Sequence, residues 1–79
     1  MLAIHTIQNI SFNQSSISLQ IDGKEINIEL GKLSNKLKAA NDFQRSFYKI
    51  SPSGYGIHWP LIDEDLSVDA LLQLATKSN

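Results

Sequence analysis

Alternation of apolar and polar residues organises the first thirty positions. In SSISLQIDGKEINIEL, Ile17, Leu19 and Ile21 alternate with Ser18 and Gln20, and Ile26, Ile28 and Leu30 alternate with Asn27 and Glu29. A period of two is that of a half-buried strand. Between the runs, Asp22-Gly23 accepts the positive φ of a type I′ hairpin turn. A two-residue loop sets Ile21 opposite Lys24, Leu19 opposite Ile26 and Ile17 opposite Ile28. Opposed residues share a face, so the apolar side chains meet while Ser18–Asn27 and Gln20–Glu25 face water. A slip by one residue would undo this agreement. Upstream, Ile10 and Phe12 alternate before Asn-Gln-Ser-Ser; a loop at 13–16 pairs Phe12 with Ile17 and Ile10 with Leu19. The pattern predicts a three-stranded meander with one face to be covered.

Residues 31–47 carry a weaker signal. Leu33, Leu37, Ala40 and Phe47 follow a helical spacing, but Gly31 and Ser34-Asn35 interrupt it, which predicts one or two short helical turns. Asn41 or Asp42 is placed to cap a short helix through Phe47. Tyr48 and Ile50 then alternate into Ser-Pro-Ser-Gly, and Tyr55, Ile57 and Trp59 alternate out of it. This is a second hairpin, with Pro52 and Gly54 supplying the turn. A loop at 51–54 opposes Ile50 to Tyr55 and Tyr48 to Ile57, whereas a three-residue bulged loop would oppose Ile50 to Gly56. Pro60 ends the strand. A helix follows from about Val68 to Thr76, with Ser67 as N-cap, Asp69 in its first turn, and Leu66 and Leu71 spaced as a hydrophobic staple. Val68, Leu71, Leu72 and Ala75 form its apolar stripe. The expected architecture is α+β in one domain over 1–79: a small antiparallel sheet of about five strands in two hairpin units, with the C-terminal helix packed on one face.

Composition narrows the chemistry. Seventy-nine residues give a core near the lower limit for independent stability. With no cysteine in the chain, disulfides, thiolate catalysis and thiolate metal sites are excluded. No apolar run reaches the length of a membrane span, and MLAIHTIQNISF lacks a charged n-region followed by an apolar h-region. The expectation is a soluble, cytoplasmic protein. The net charge of −1 is unevenly spread. Lys32, Lys36, Lys38, Arg45 and Lys49 against Asp42 make residues 31–50 basic, between acidic flanks.

The stretch GYGIHWPLIDEDLSVDALL concentrates the candidate functional groups. His58 with Asp63, Glu64 and Asp65 offers one imidazole and three carboxylates, but these come from a strand and a Pro-broken loop. They match neither the one-face ligand spacing of a zinc helix nor a calcium loop. The acids are better explained by the helix start that follows them. Ser51 and Ser53 lie in a turn rather than a nucleophile elbow. Arg45, Lys49 and His58 would need to cluster for acid–base work, and His5 sits near a chain end. Gly54-Tyr55-Gly56 lacks the third glycine and the helix of a phosphate loop, and Trp59 beside Ile57 belongs in the core. These readings leave no catalytic residue, metal or cofactor.

Three segments resemble the bacterial family catalogued as domain of unknown function 2442. They are DGKEINIEL, AANDFQRSFYKIS (with Ala40, Arg45, Tyr48, Ile50 and Ser51) and GYGIHWPLIDEDLSVDALL. The middle departs from it: many members have Trp-Phe-Pro-Arg-Leu where this chain has Leu33-Ser34-Asn35-Lys36-Leu37. The resemblance implies a small α+β domain without established activity. It also implies a neighbouring gene of another small family, domain of unknown function 4160, in an arrangement that looks like a toxin–antitoxin pair with this family on the antitoxin side.

Two functions follow as expectations. The first is a non-enzymatic protein-interaction module, presenting His58, Asp63, Glu64 and Asp65 to a small protein such as the neighbouring gene product, or to a second copy. The alternative is nucleic-acid binding or autoregulation through the basic 31–50 segment, with Lys36, Lys38, Arg45 and Lys49 as phosphate contacts.

Overall fold

The computed structural model describes residues 5–77, and side chains as far as Ala75. The first residues of the stretch searched for a leader lie outside them. The chain runs β1 (Ile7–Phe12), β2 (Ser16–Ile21), β3 (Lys24–Glu29), three short helices α1 (Leu30–Leu33), α2 (Asn35–Ala39) and α3 (Asp42–Ser46), then β4 (Lys49–Ile50), β5 (Gly56–Trp59), β6 (Glu64–Ser67) and α4 (Val68–Lys77). The strands form two three-stranded antiparallel sheets, β1-β2-β3 and β4-β5-β6.

The first hairpin has the expected register throughout, from Ile21↔Lys24 to Ile17↔Ile28. Asp22 and Gly23 both have positive φ, 54° and 85°, as a type I′ turn requires. On the solvent face, Asn27 Nδ2 donates to Ser18 Oγ at 2.5 Å. Phe12 pairs with Ile17 as expected, but Ile10 does not pair with Leu19: the register shifts between Gln8 and Ser11. Asn9 lies there at φ 57°, and the extra residue makes a bulge. The loop before β2 is an Asx turn, in which Asn13 Oδ1 accepts from the backbone N–H of Ser15 and Ser16.

A single sheet of about five strands is not what forms. After β3 the chain curls back, Leu30 N donating to Ser15 O at 2.8 Å, and three helical turns separate β3 from β4. The additional strand is β6, which pairs with β5 through His58↔Asp65 and Ile57↔Leu66. The β4–β5 register also differs from both expected alternatives, with Lys49 opposite His58 and Ile50 opposite Ile57. Ser51 causes the longer loop. Its Oγ accepts from Tyr55 N and Gly56 N, its N donates to Gly56 O, and its carbonyl accepts from Gly54 N. Tyr55 is thereby carried off the apolar face and left exposed.

Both sheets and α4 close on one core: Ile17, Leu19 and Ile21 from β2, Ile26 and Ile28 from β3, Ile57 and Trp59 from β5, and Val68 and Leu71 from α4, with Leu30 and Leu37 from the helical turns. Helix α4 packs against β3 and β6. It begins where expected, with Ser67 Oγ accepting from Ala70 N at 3.1 Å.

Candidate functional site

The outward face of the second sheet carries one polar row. Cross-strand pairing places Lys49 beside His58 and His58 beside Asp65, on the face opposite Ile57 and Trp59. His58 Nδ1 lies 2.6 Å from Asp65 Oδ1. An ionised carboxylate only accepts, so Nδ1 carries the hydrogen that joins the pair. The carboxylate partner that the sequence could not name for His58 is therefore Asp65, brought in by the β5–β6 register. The pair is solvent-exposed, 41% for the His58 side chain and 76% for Asp65, which makes it a weak contributor to stability. Among the described residues, no group of three His, Asp or Glu side chains is placed to hold a metal ion.

Of the other two acids, Glu64 reaches the helical turns through its side chain and Asp63 through its backbone carbonyl alone. Ser34, itself buried, donates its hydroxyl to Glu64 Oε2 and accepts from Leu37 N at 3.1 Å. One hydroxyl therefore caps α2 and ties it to β6. Lys36 Nζ donates to the carbonyl of Asp63 at 3.0 Å, where φ is 53°. The expectation that Asp63, Glu64 and Asp65 serve the helix dipole is corrected. Glu64 and Asp65 are strand residues, and the first-turn acid of α4 is Asp69.

Of the basic residues expected to meet phosphate, Arg45 lies in the interior, 6% exposed. Its Nε donates to Leu37 O, Nη1 to Asn13 O, and Nη2 to Lys38 O, at 3.0, 3.0 and 3.1 Å. The guanidinium also sits 5.5 Å from the centroid of the Phe12 ring. These carbonyls come from the β1–β2 turn and from the end of α2, so Arg45 fastens the helical turns to the first sheet. Lys36, Lys38 and Lys49 are exposed; the first two share α2, and Lys49 stands apart on β4.

The sequence pattern gave no hint of an aromatic patch on α3. Asn41 and Gln44 form a reciprocal capping box that fixes this short helix. One turn apart, the Phe43 and Phe47 rings meet at a tilt of 59° with 5.9 Å between centroids and are left 68% and 49% exposed. Three residues on, Ile50 is also exposed. The neighbouring stripe of α3, Asp42, Arg45 and Ser46, lines an open groove of about 350 Å³ with Ile10, Phe12 and Tyr48. Phe47 shares the helical spacing of Leu33, Leu37 and Ala40, but as C-cap of α3 it is left exposed.

A family model described as "Protein of unknown function (DUF2442)" matches residues 7–77. No curated protein and no solved structure matches the chain. No helix among the described residues is long and apolar enough to cross a membrane.

Proposed function

The chain belongs to the DUF2442 family, and within it we propose that this protein is a non-enzymatic interaction module for a small protein partner. The observation that carries the reading is the exposed, contacting Phe43–Phe47 pair. Two large aromatic side chains on a rigid, doubly capped helical turn stay in water. Exposed aromatics of this kind are enriched among the anchors of protein interfaces. Ile50 and the groove between β1 and α3 extend the surface. The outward members of the polar stretch, His58 and Asp65, belong to a separate band on the second sheet. The partner suggested by the family resemblance is the neighbouring gene product, with this chain in the antitoxin-like role.

Phosphate binding through the basic segment has less support, because Arg45 is committed to carbonyls and Lys36 to the Asp63 carbonyl. Co-expression with the neighbouring gene product tests the proposal. The two chains are expected to co-elute, and a Phe43→Ser, Phe47→Ser double variant is expected to fold normally and elute alone. Separate elution of the wild-type chains, with no effect of either on growth, overturns the reading. Salt-sensitive retention on DNA or RNA that disappears on reversing Lys36, Lys38 and Lys49 would put nucleic acid in its place.

A further inference from the structure

His5 stands at a junction of four elements. Its backbone N–H donates to Ser53 O, in the β4–β5 loop, at 3.0 Å. Its ring, with only 13% of the side chain exposed, puts Nδ1 2.8 Å from Asp22 Oδ2 in the β2–β3 turn. The next residue repeats that tie, Thr6 N donating to Asp22 Oδ1 at 2.9 Å and Asp22 N to Thr6 O. On the far side of the ring, Nε2 points towards Asp69 Oδ1, in the first turn of α4, at 4.0 Å. That is beyond hydrogen-bond reach. Nε2 is buried and, among the described residues, has no hydrogen-bond partner.

We propose that His5 is a proton-operated clasp: charging its ring draws the Asp69 carboxylate onto Nε2 and locks the start of β1 to the β2–β3 turn, the β4–β5 loop and α4. With Nδ1–H given to Asp22, the neutral ring presents Nε2 as a buried acceptor facing a carboxylate, which is also an acceptor. The two lone pairs have nothing to share. Protonation turns Nε2 into a donor aimed at that carboxylate. Asp69 is 71% exposed, so its side chain is free to rotate inward and close the gap. Among the described residues, the titratable groups facing the ring are Asp22 from the turn and Asp69 from α4. The β4–β5 loop offers the neutral Ser53 carbonyl, and Lys24 acts on Asp22. Asp22 stays ionised where histidine titrates, since His5 and the Thr6 N–H hold its carboxyl below the ordinary range.

Amide hydrogen exchange, corrected for the intrinsic pH dependence, reads this clasp directly. Protection of the His5 and Thr6 amides is expected to rise several-fold from pH 8 to pH 6, while the β2 amide of Leu19 reports global opening. Asp69→Asn, at an exposed position that leaves the fold intact, should remove most of the rise. His5→Gln should abolish it. No rise in the wild type, or an undiminished rise in Asp69→Asn or His5→Gln, overturns the proposal.

Discussion

Trp59 Nε1 donates to the backbone carbonyl of Arg45 at 3.0 Å, and both side chains are buried. The guanidinium of that same arginine is spent on the carbonyls of Asn13, Leu37 and Lys38. The two residues thus join the second sheet, the helical turns and the β1–β2 turn in one hydrogen-bonded chain. The edge-to-face contact of Phe12 with Trp59, at 6.4 Å, packs against it.

Substitutions at these two positions are expected to be the most damaging in the molecule. Trp59→Ala should cost about 3–5 kcal/mol, a large part of the roughly 5–15 kcal/mol that stabilises a native domain. Arg45→Lys keeps the charge but not the fork of donors, and each buried carbonyl left unpaired costs about 1–3 kcal/mol. Urea titration at constant m-value checks both. An Arg45→Lys variant as stable as wild type would show that water replaces the guanidinium at no cost.

Ser34 and His58 offer the opposite test, since the more conspicuous residue should matter less. Ser34→Ala removes the cap of α2, worth about 0.5–2 kcal/mol, and leaves the Glu64 carboxylate without its hydroxyl donor. His58→Ala breaks only an exposed pair with Asp65, worth about 0–1 kcal/mol. Thermal melts should rank Ser34→Ala well below His58→Ala. The reverse order would mean that the outward row carries structural weight.

The β2–β3 hairpin was legible because turn chemistry and alternation independently demand the same register. Elsewhere only one signal was present. Asn9 at positive φ makes a bulge, but nothing in Gln8-Asn9-Ile10 announces one. In the second hairpin, alternation placed Ile57 and Trp59 on the buried face but misplaced Tyr55, and it did not say how far along each partner lies. Ser51 decided that through four local hydrogen bonds. Strand β6 was hidden because Asp63-Glu64-Asp65 has the composition of a loop, although Ile62, Leu66 and Val68 keep an even spacing around it. Arg45 looked like a surface cation because its partners are backbone carbonyls, which every residue has. The His58–Asp65 contact depended on a strand the pattern had not revealed, so half of the outward row could not be seen in advance.

Acid should loosen the molecule through Asp22. The hydrogen bond from His5 is the main reason its carboxyl titrates below the ordinary range, with the Thr6 N–H adding to the effect. A group whose folded pKa is depressed stabilises the fold above its unfolded value. That contribution fades as pH falls through the ordinary aspartate range, and it is gone below the folded value. Asp22→Asn separates charge from geometry, because asparagine also accepts the positive φ of the turn. The variant should fold at neutral pH and show a flatter loss of melting temperature on the acid side. An unchanged acid limb would place the acid sensitivity in other carboxylates.

Gly23 and Gly54 both have positive φ, 85° and 68°, yet alanine should behave differently at the two. At Gly23 a Cβ meets nothing within 4 Å, so the cost is left-handed strain alone, about 1–2 kcal/mol. At Gly54 the same atom would lie 1.7 Å from the carbonyl oxygen of His5. That is backbone against backbone, and no side chain can swing aside to relieve it. The β4–β5 loop and the start of β1 must therefore part, taking with them the bond from His5 N to Ser53 O. Gly54→Ala should cost clearly more than Gly23→Ala in denaturant titrations. It should also expose the His5 and Thr6 amides to exchange at every pH, whereas Gly23→Ala leaves them protected. Equal costs for the two variants, with both amides still protected in Gly54→Ala, would show that the loop relaxes without releasing the N-terminal strand.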